Sequence, residues 1–387
     1  MLPRSHAGEP VPELGGPAVR AVEATLRRAL AAHASDVHVE PASDGGGTVR
    51  LRVDGILRAA EPLGRDLYAS FVSRWKILAG LDITNRRLPQ DGRFTAVVEG
   101  RTVAARVASL APIDGEKLAI RLLDHSAALP RLDDLGMDAR TLGAYRALAH
   151  APWGFVVVSG PTGSGKTTTL YASLAELDRG SRNVCTVEDP IEARLAGTVQ
   201  VQVNVRAGLT FPAVLRAFVR QDPDVIMIGE IRDAETCAVG VAAALAGQTV
   251  FATVHSTDAP RTVDRLVELG VARRSLAAAL TAVVAQRLVR KLCESCRRRT
   301  GARWFAPSAC PACAGTGYRG RVGVFELLVV DDGLRDAIAS GASSAALARR
   351  AAAAGHRALS ADAVAKLDAG ITSLEEIERV VGGTGPL

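Results

Sequence analysis

The sequence Gly160-Pro161-Thr162-Gly163-Ser164-Gly165-Lys166-Thr167 fits the phosphate-binding loop pattern G-x-x-x-x-G-K-[ST] at every fixed position. The apolar residues 155–159 before it predict a buried strand, and residues 168–178 after it predict an amphipathic helix. Glycines let backbone N–H groups close around phosphate oxygens, which the positive N-terminus of the helix also attracts. A glycine-rich turn that carries a lysine by chance is the alternative, but both flanks favour a nucleotide site.

In such a loop the lysine reaches the β- and γ-phosphates of ATP, and the residue after it ligates Mg²⁺ through its hydroxyl. These roles fall on Lys166 and Thr167. The candidate nucleotide-binding residues are the loop and the position that follows it, namely Gly160, Pro161, Thr162, Gly163, Ser164, Gly165, Lys166, Thr167 and Thr168.

Composition limits the class of protein. A chain of 387 residues can hold two or three domains. No apolar run is long enough to cross a bilayer, and the short runs 238–246 and 276–284 predict buried helices. Residues 1–16 contain no hydrophobic signal core, so we predict a flexible leader and a cytoplasmic protein. The net charge of +6 comes from arginines spread along the chain, so we expect no dedicated nucleic-acid binding.

Hydrophobic periodicity divides the rest of the chain into five parts. Residues 17–125 combine helices with hairpins and predict a small α+β domain, and residues 126–150 predict a linker that leads into a short helix. Strand–helix alternation over residues 151–290 predicts a doubly wound α/β nucleotide-binding domain. A cysteine-bearing module, residues 291–325, and a helical C-terminal region, residues 326–387, complete the chain. The strands predicted in the nucleotide-binding domain are 155–159, 183–188, 225–229 and 250–254.

Acidic residues follow two of these strands. The apolar run 225–228 leads through Gly229, at the usual aspartate position of a Walker-B segment, to Glu230. Such a carboxylate can hold the water shell of Mg²⁺ beside Thr167. A simple ion pair with Arg232 is the alternative explanation, and the upstream phosphate-binding loop favours the functional one.

The second acidic cluster is Thr186-Val187-Glu188-Asp189-Pro190-Ile191-Glu192. Hydrolysis needs a carboxylate that orients the attacking water. Glu188 is the best placed for that role, at the end of its strand, and Asp189 and Glu192 are the alternatives. Acids beside a proline also occur in ordinary turns, which is the non-functional explanation.

One histidine and several arginines complete the candidate site. His255 ends the strand 250–254; it is either a structural histidine or a sensor that binds the γ-phosphate. An arginine from a neighbouring domain or subunit can stabilise the charge of the transition state, although any single arginine is more often an ordinary solvated side chain. The candidates are Arg93 and Arg106, on a hairpin of the first domain together with Arg101, and Arg216 and Arg220, spaced i, i+4 on one helix.

Four cysteines form C-x₂-C…C-x₂-C, namely Cys293, Cys296, Cys310 and Cys313. Two such pairs offer four thiolates in the tetrahedral geometry that Zn²⁺ prefers, with no open position, so the site would be structural. Disulfides are the alternative, and a cytoplasmic nucleotide-binding protein disfavours them. For Cys185 and Cys237 we predict a packing role in the core.

Together these motifs resemble the ATPases of type II secretion and type IV pilus assembly, over about residues 34–332. The pieces that carry the resemblance are Ala34-Ser35-Asp36-Val37-His38-Val39-Glu40-Pro41, Arg52-Val53-Asp54-Gly55, Leu88-Pro89-Gln90-Asp91-Gly92-Arg93, Gly115-Glu116-Lys117, the phosphate-binding loop, the segments 186–192, 208–233 and 254–258, and Gly317-Tyr318-Arg319-Gly320-Arg321.

The resemblance implies a RecA-like core behind a PAS-like N-terminal domain, in a hexameric ring that hydrolyses ATP beneath an inner-membrane platform protein. Motion between the two domains would drive the assembly of pilin-like subunits. It assigns Glu188 to the aspartate box, Glu230 to the Walker-B segment and His255 to the histidine box. Its trans-acting arginines correspond best to Arg93 and Arg106, with Arg216 and Arg220 opposite them.

The chain departs from the family pattern in several places. We expect no separate N-terminal docking domain, because recognisable sequence begins almost at once. Gln248 stands where a histidine is common, and Ala104 where an aspartate is common. The cysteine module argues against the pilus-retraction branch, which usually lacks it.

Two other classes of function remain open at this stage. Similar rings move DNA, so a DNA-uptake or other nucleic-acid translocase is one alternative, which a strongly salt-dependent affinity for DNA would favour. An inactive scaffold that docks partners through its zinc module is the other, and measurable ATP hydrolysis would exclude it.

Overall fold

The computed structural model describes residues 16–123, 129–301, 303–306 and 310–382. The predicted leader therefore lies outside the described residues, except for Gly16. The chain divides into two compact units between Ala127 and Ala128. None of the described helices is both long and apolar enough to cross a membrane.

The first unit is a single antiparallel sheet covered by two helices. Its six strands lie in the order β3-β2-β1-β6-β5-β4. The core forms where Val22, Leu26, Phe71 and Trp75 of the helices pack on inward-facing strand residues. In chain order the elements are α1 (Pro17–Ala31), β1 (Ala34–Pro41), β2 (Gly47–Val53), β3 (Ile56–Leu63), α2 (Arg65–Leu78), β4 (Gln90–Val98), β5 (Arg101–Leu110) and β6 (Lys117–Leu123).

The second unit contains a seven-stranded sheet, in which six parallel strands are joined by one antiparallel strand at an edge. The order is β15-β12-β7-β11-β10-β8-β9. Its strands are β7 (Gly154–Ser159), β8 (Val184–Glu188), β9 (Val199–Gln202), β10 (Val225–Ile228), β11 (Thr249–Val254), β12 (Leu280–Leu292) and β15 (Tyr318–Val329), and the short hairpin β13 (Arg298–Thr300) and β14 (Arg303–Phe305) lies outside this sheet.

Helices cover both faces of this sheet. The buried side chains of α3 and α4, including Tyr145, Leu170 and Tyr171, pack on one face. Buried residues of α5 to α10, such as Leu215 and Val263, pack on the other. The helices are α3 (Ala139–Ala149), α4 (Lys166–Glu176), α5 (Phe211–Phe218), α6 (Ala234–Leu245), α7 (Ala259–Glu268), α8 (Arg273–Ala279), α9 (Asp332–Ala339), α10 (Ser344–Ala353), α11 (Leu359–Asp368) and α12 (Leu374–Val381).

The topology brings the predicted site residues to one edge of the sheet. Strands β7, β8, β10 and β11 are neighbours or near neighbours and run parallel. The phosphate-binding loop, Glu188, Glu230 and His255 each come at or directly after the carboxyl end of one of them. In parallel sheets that edge is where ligands bind.

One region differs from the sequence-based expectation. Residues 276–284 are not one buried helix: α8 ends at Ala279, and β12 then runs between β7 and β15. The helices of the C-terminal region start at Asp332, after the last residues of β15. The described part of residues 126–150 leads into α3, and its Leu132, Met137 and Tyr145 lie in the core beside α4. The finer domain boundaries stay a prediction.

Candidate nucleotide-binding site

The phosphate-binding loop joins β7 to α4, and its lysine is turned back onto the loop itself. Lys166 is the first residue of α4 and is 8% exposed. Its Nζ donates to the carbonyl oxygens of Gly160 at 2.8 Å and Pro161 at 3.0 Å. Burial lowers the pKa of Lys166, an effect that the charge of Glu230 opposes. Among the described residues the ammonium thus bonds to backbone carbonyls alone, which a phosphate could replace.

The loop has the shape and unused polar groups that a polyphosphate needs. At Gly160, with φ +151°, an added Cβ would lie 2.4 Å from the carbonyl oxygen of Gln286 on β12, so only glycine fits. The hydroxyl of Ser164, a residue 3% exposed, has no hydrogen-bond partner among the described residues. A buried donor without a partner costs free energy, which a bound phosphate oxygen would recover.

Glu230 and His255 form a bridge beside the loop. His255 Nε2 lies 2.7 Å from Glu230 Oε1, and His255 Nδ1 lies 3.1 Å from the carbonyl oxygen of Gly160. The other carboxylate oxygen of Glu230 pairs with Arg232 at 2.6 Å. The ion pair with Arg232, weighed as the alternative for Glu230, is therefore present, and the part of Glu230 in Mg²⁺ binding stays a prediction.

The electrostatics of this bridge favour an ionised carboxylate. Burial by itself raises the pKa of Glu230, but the hydrogen bond and charge of Arg232 and the charges of His255 and Lys166 outweigh it, and the pKa lies below its usual 4.5. The loop lysine and His255 thus both contact the carbonyl of Gly160, and Glu230 is linked to it through His255. This is a site that can bind charged phosphate and orient a water.

Glu188 is placed differently from Glu230. It is 2% exposed, and its carboxylate accepts hydrogen bonds from Thr186 Oγ1 at 2.6 Å, from Gln200 Nε2 at 3.2 Å and from the hydroxyl of Tyr171. Of the two alternatives from the same cluster, Asp189 and Glu192 are both exposed. Burial lowers the pKa of Lys166, and Glu192 opposes this less than Glu230 does.

The four candidate arginines fall into two pairs. Arg93 on β4 and Arg106 on β5 are directly opposite each other in the sheet of the first unit. Arg216 on α5 pairs with Glu235 of α6, and Arg220, just past the end of α5, donates to the carbonyl of Arg216 at 2.7 Å. α5 packs on the opposite face of the sheet from α4. These partners of Arg216 and Arg220 lie on α6 and α5, not in the phosphate-binding loop.

Two residues of β12 join the site without a signal in the sequence. Gln286, 2% exposed, accepts a hydrogen bond from Thr169 Oγ1 at 2.7 Å and so holds α4 to the sheet. Arg287 donates to the carbonyl of Thr257, two residues after His255, at 2.7 Å. Burial lowers the pKa of Arg287, and its charge in turn lowers the pKa of Lys166. Only the position of β12 beside β7 identifies them, and no sequence motif marks that strand.

The four cysteines between β12 and β15 form one cluster. Their Sγ atoms, from Cys293, Cys296, Cys310 and Cys313, all lie within 4.8 Å of one another. The 3.9 Å between Cys296 Sγ and Cys313 Sγ is too long for a disulfide and close to the ~3.8 Å edge of a tetrahedron with ~2.3 Å Zn–S bonds. The N–H of Gly317 donates to Cys313 Sγ at 3.2 Å, which suits a thiolate ligand.

Comparisons with known proteins show what the whole chain is similar to in sequence and in fold. The family model described as "Type II/IV secretion system protein" matches residues 13–379. The type II secretion system protein HxcR of Pseudomonas aeruginosa is 48% identical over 366 residues, which cover 95% of this chain and 78% of that protein. The type IV pilus assembly ATPase PilB of Myxococcus xanthus is 41% identical over 390 residues, which cover 96% of this chain and 68% of that protein. The X-ray structure of the Legionella pneumophila ATPase DotB has a similar fold, with a TM-score of 0.72 at 22% identity over 96% of this chain and 97% of that one.

Proposed function

The chain belongs to the type II/IV secretion system protein family, and from that premise we propose that it is the motor ATPase of a type II secretion or type IV pilus assembly machine, working as a hexameric ring. ATP hydrolysis is its reaction, as in the assembly ATPases that it resembles over most of its length. The observation that carries the proposal is the loop lysine held beside the Glu230–His255 bridge.

ATP would bind with its phosphates in the loop, on the RecA-like core. Lys166 would leave the carbonyls of Gly160 and Pro161 for the β- and γ-phosphates, and Ser164 lies in the same cradle. Mg²⁺, held by the hydroxyl of Thr167 and by water near Glu230, would neutralise charge on the phosphates.

Two residues next to the loop would divide the remaining work. Glu230 is ionised and partly accessible, so it would orient the attacking water, a role the sequence had favoured for Glu188. His255, bonded to both Glu230 and the carbonyl of Gly160, would sense the γ-phosphate through changes at that carbonyl. The burial of Glu188 supports an indirect part for it.

The proposed ring would complete each site with arginines from the neighbouring subunit. Arg93 and Arg106, paired across β4 and β5, would supply that charge from the PAS-like domain, and the exposed Arg216 and Arg220 would face them. The ring would lie at the inner face of the cytoplasmic membrane against a platform protein of the machine. We propose no nucleic-acid partner.

Mixing two inactive variants tests the trans arrangement. Lys166→Ala should lose at least ~99% of ATPase activity and Arg93→Ala at least ~95%, because one lacks the loop lysine and the other the arginine. In hexamers mixed at random from equal amounts, about one interface in four joins the intact loop of an Arg93→Ala subunit to Arg93 of a Lys166→Ala neighbour, so activity should return to about a quarter of wild type. Steady-state phosphate release after subunit exchange measures this. Mixed rings with no recovered activity would contradict the trans role, and size measurements under the same conditions would show whether six subunits are present.

The cysteine cluster would hold one structural Zn²⁺ through its four thiolates. The surrounding segment is tied to the C-terminal helices, because Arg297 Nη1 donates to the carbonyl of Gly370 at 2.8 Å and Leu292 N–H donates to that of Ile371 at 2.8 Å. Metal at the cluster would therefore stabilise the turn between α11 and α12 as well as its own hairpin.

Removing this metal should destabilise the second unit. Elemental analysis should find about one zinc per chain, and Cys310→Ser should lose it and lower the melting temperature on the order of 5 °C. Cys185→Ala, a buried thiol on β8, is the matched control and should keep its zinc. Zinc-free wild-type protein with an unchanged melting temperature would overturn the structural metal site.

A further inference from the structure

Tyr171 joins α4, the helix after the phosphate-binding loop, to the acidic segment, residues 188–192 at the end of β8 and after it. It lies on α4, five residues after Lys166, and is 1% exposed. Its hydroxyl donates to Glu188 Oε2 and accepts from the backbone N–H groups of Glu192 at 3.1 Å and Ala193 at 3.3 Å. A phenol has one proton and two lone pairs, so every hydrogen-bonding position of this hydroxyl is used.

The same segment is held from its other side by β9. Gln200 donates through Nε2 to Glu188 Oε1 at 3.2 Å and to the carbonyl of Ala193 at 3.0 Å, and its Oε1 accepts from the N–H of Leu195 at 2.8 Å. Glu188 is thus a buried carboxylate with three donors and serves as an anchor between α4 and β9. The exposed acid of the segment, Glu192, is the one whose charge reaches Lys166.

We propose that Tyr171 is a positioning residue for hydrolysis, whose hydroxyl holds Glu188 and the backbone at Glu192 in place beside the nucleotide. The inference rests on the proposed function, since it concerns the same site. α4 begins at Lys166, so movement of the loop and helix when nucleotide binds is passed through the tyrosine hydroxyl to the acidic segment. Loss of the hydroxyl frees that segment without touching any group that binds phosphate.

The test compares two tyrosine-to-phenylalanine variants of the full chain. Tyr145→Phe is the matched control, because Tyr145 is fully buried on the same face and its hydroxyl bonds Ser173 of α4 at 2.7 Å, yet it does not touch the acidic segment. Each variant loses one buried hydroxyl and should lower the melting temperature by ~2–4 °C. Tyr171→Phe should lower kcat at least ~10-fold with the Kd for Mg-ATP changed less than ~3-fold, whereas Tyr145→Phe should keep kcat within ~2-fold.

A double-mutant cycle separates positioning from packing. If Tyr171 acts through Glu188, then Tyr171→Phe combined with Glu188→Gln should have a kcat within ~2-fold of Glu188→Gln alone. Equal kcat losses in Tyr171→Phe and Tyr145→Phe, or effects that multiply in the double variant, would overturn the proposal. If Lys166→Ala abolishes hydrolysis under the same conditions, the proposed function stands even when this inference fails.

Hydrogen exchange gives a readout that does not need an active variant. The amides of Glu192 and Ala193 should be protected in the wild type and should exchange at least ~10-fold faster in Tyr171→Phe but not in Tyr145→Phe. If Tyr171→Phe does not fold, hydrogen exchange of the wild type alone tests the proposal. Unprotected amides at Glu192 and Ala193 would contradict their hydrogen bonds to the Tyr171 hydroxyl, on which the proposal depends.

Discussion

Replacing Lys166 with alanine is expected to lower kcat for ATP hydrolysis at least ~100-fold while the chain stays folded. The ammonium contacts only the carbonyls of Gly160 and Pro161, and none of the described residues supplies a carboxylate within ion-pair distance of it. Its removal therefore breaks no ion pair and costs the fold little. It does remove the ammonium of the phosphate-binding loop, which in the proposed function contacts the phosphates in the transition state.

The measurement is steady-state phosphate release by the purified protein, with nucleotide binding followed by a fluorescent ATP analogue. Lys291→Ala, which removes a half-buried lysine at the end of β12, is the control for loss of one positive charge and should keep normal turnover. A Lys166→Ala protein with wild-type kcat would show that the hydrolytic site lies elsewhere, and the proposed function would fall with it. A variant that loses binding as well as turnover would still agree with the proposal, since the lysine contacts both phosphates.

Much of this site could be predicted because its residues follow short apolar runs. Glu230 and His255 come directly after buried strands, and parallel strands deliver such residues to one edge. The spacing of the four cysteines alone predicts that they share one site, and the structure brings all four sulfurs together. Family membership, expected from the same motifs, is confirmed by a family model that matches residues 13–379 and by a relative 48% identical over 95% of this chain.

The remainder depends on long-range packing that no local pattern encodes. The start of β12 is buried on both faces, so it lacks the alternation that marks a strand, and residues 276–284 look helical. Because the sequence does not indicate this strand, it does not indicate Gln286 and Arg287 as residues of the site either. Glu188 shows the same limit: its sequence position indicates a carboxylate at the sheet edge, but only the fold shows that Tyr171 and Gln200 enclose it.

Glu230→Gln is expected to give a protein that binds ATP and barely hydrolyses it. The amide is almost the same size as the carboxylate, so the contacts with Arg232 and His255 can be kept in part. It cannot accept a proton from the attacking water, and it removes a negative charge that contacts His255 and acts on Lys166 over a longer distance. We expect kcat to fall ~100- to 1,000-fold and the Kd for Mg-ATP to change less than ~5-fold.

The shape of the pH profile gives the sharper test of this role. Because Arg232, His255 and Lys166 hold the pKa of Glu230 below its usual range, the carboxylate stays ionised through the neutral range. The wild-type kcat should therefore stay level there and fall only at acidic pH. The residual kcat of Glu230→Gln should have no such acid limb. Glu268→Gln, at an exposed acid that ends α7, is the control and should match the wild type in kcat and pH profile. Normal turnover in Glu230→Gln together with a large loss in Glu188→Gln would return the water-orienting role to Glu188, and would mean that its buried anchor opens during each catalytic cycle.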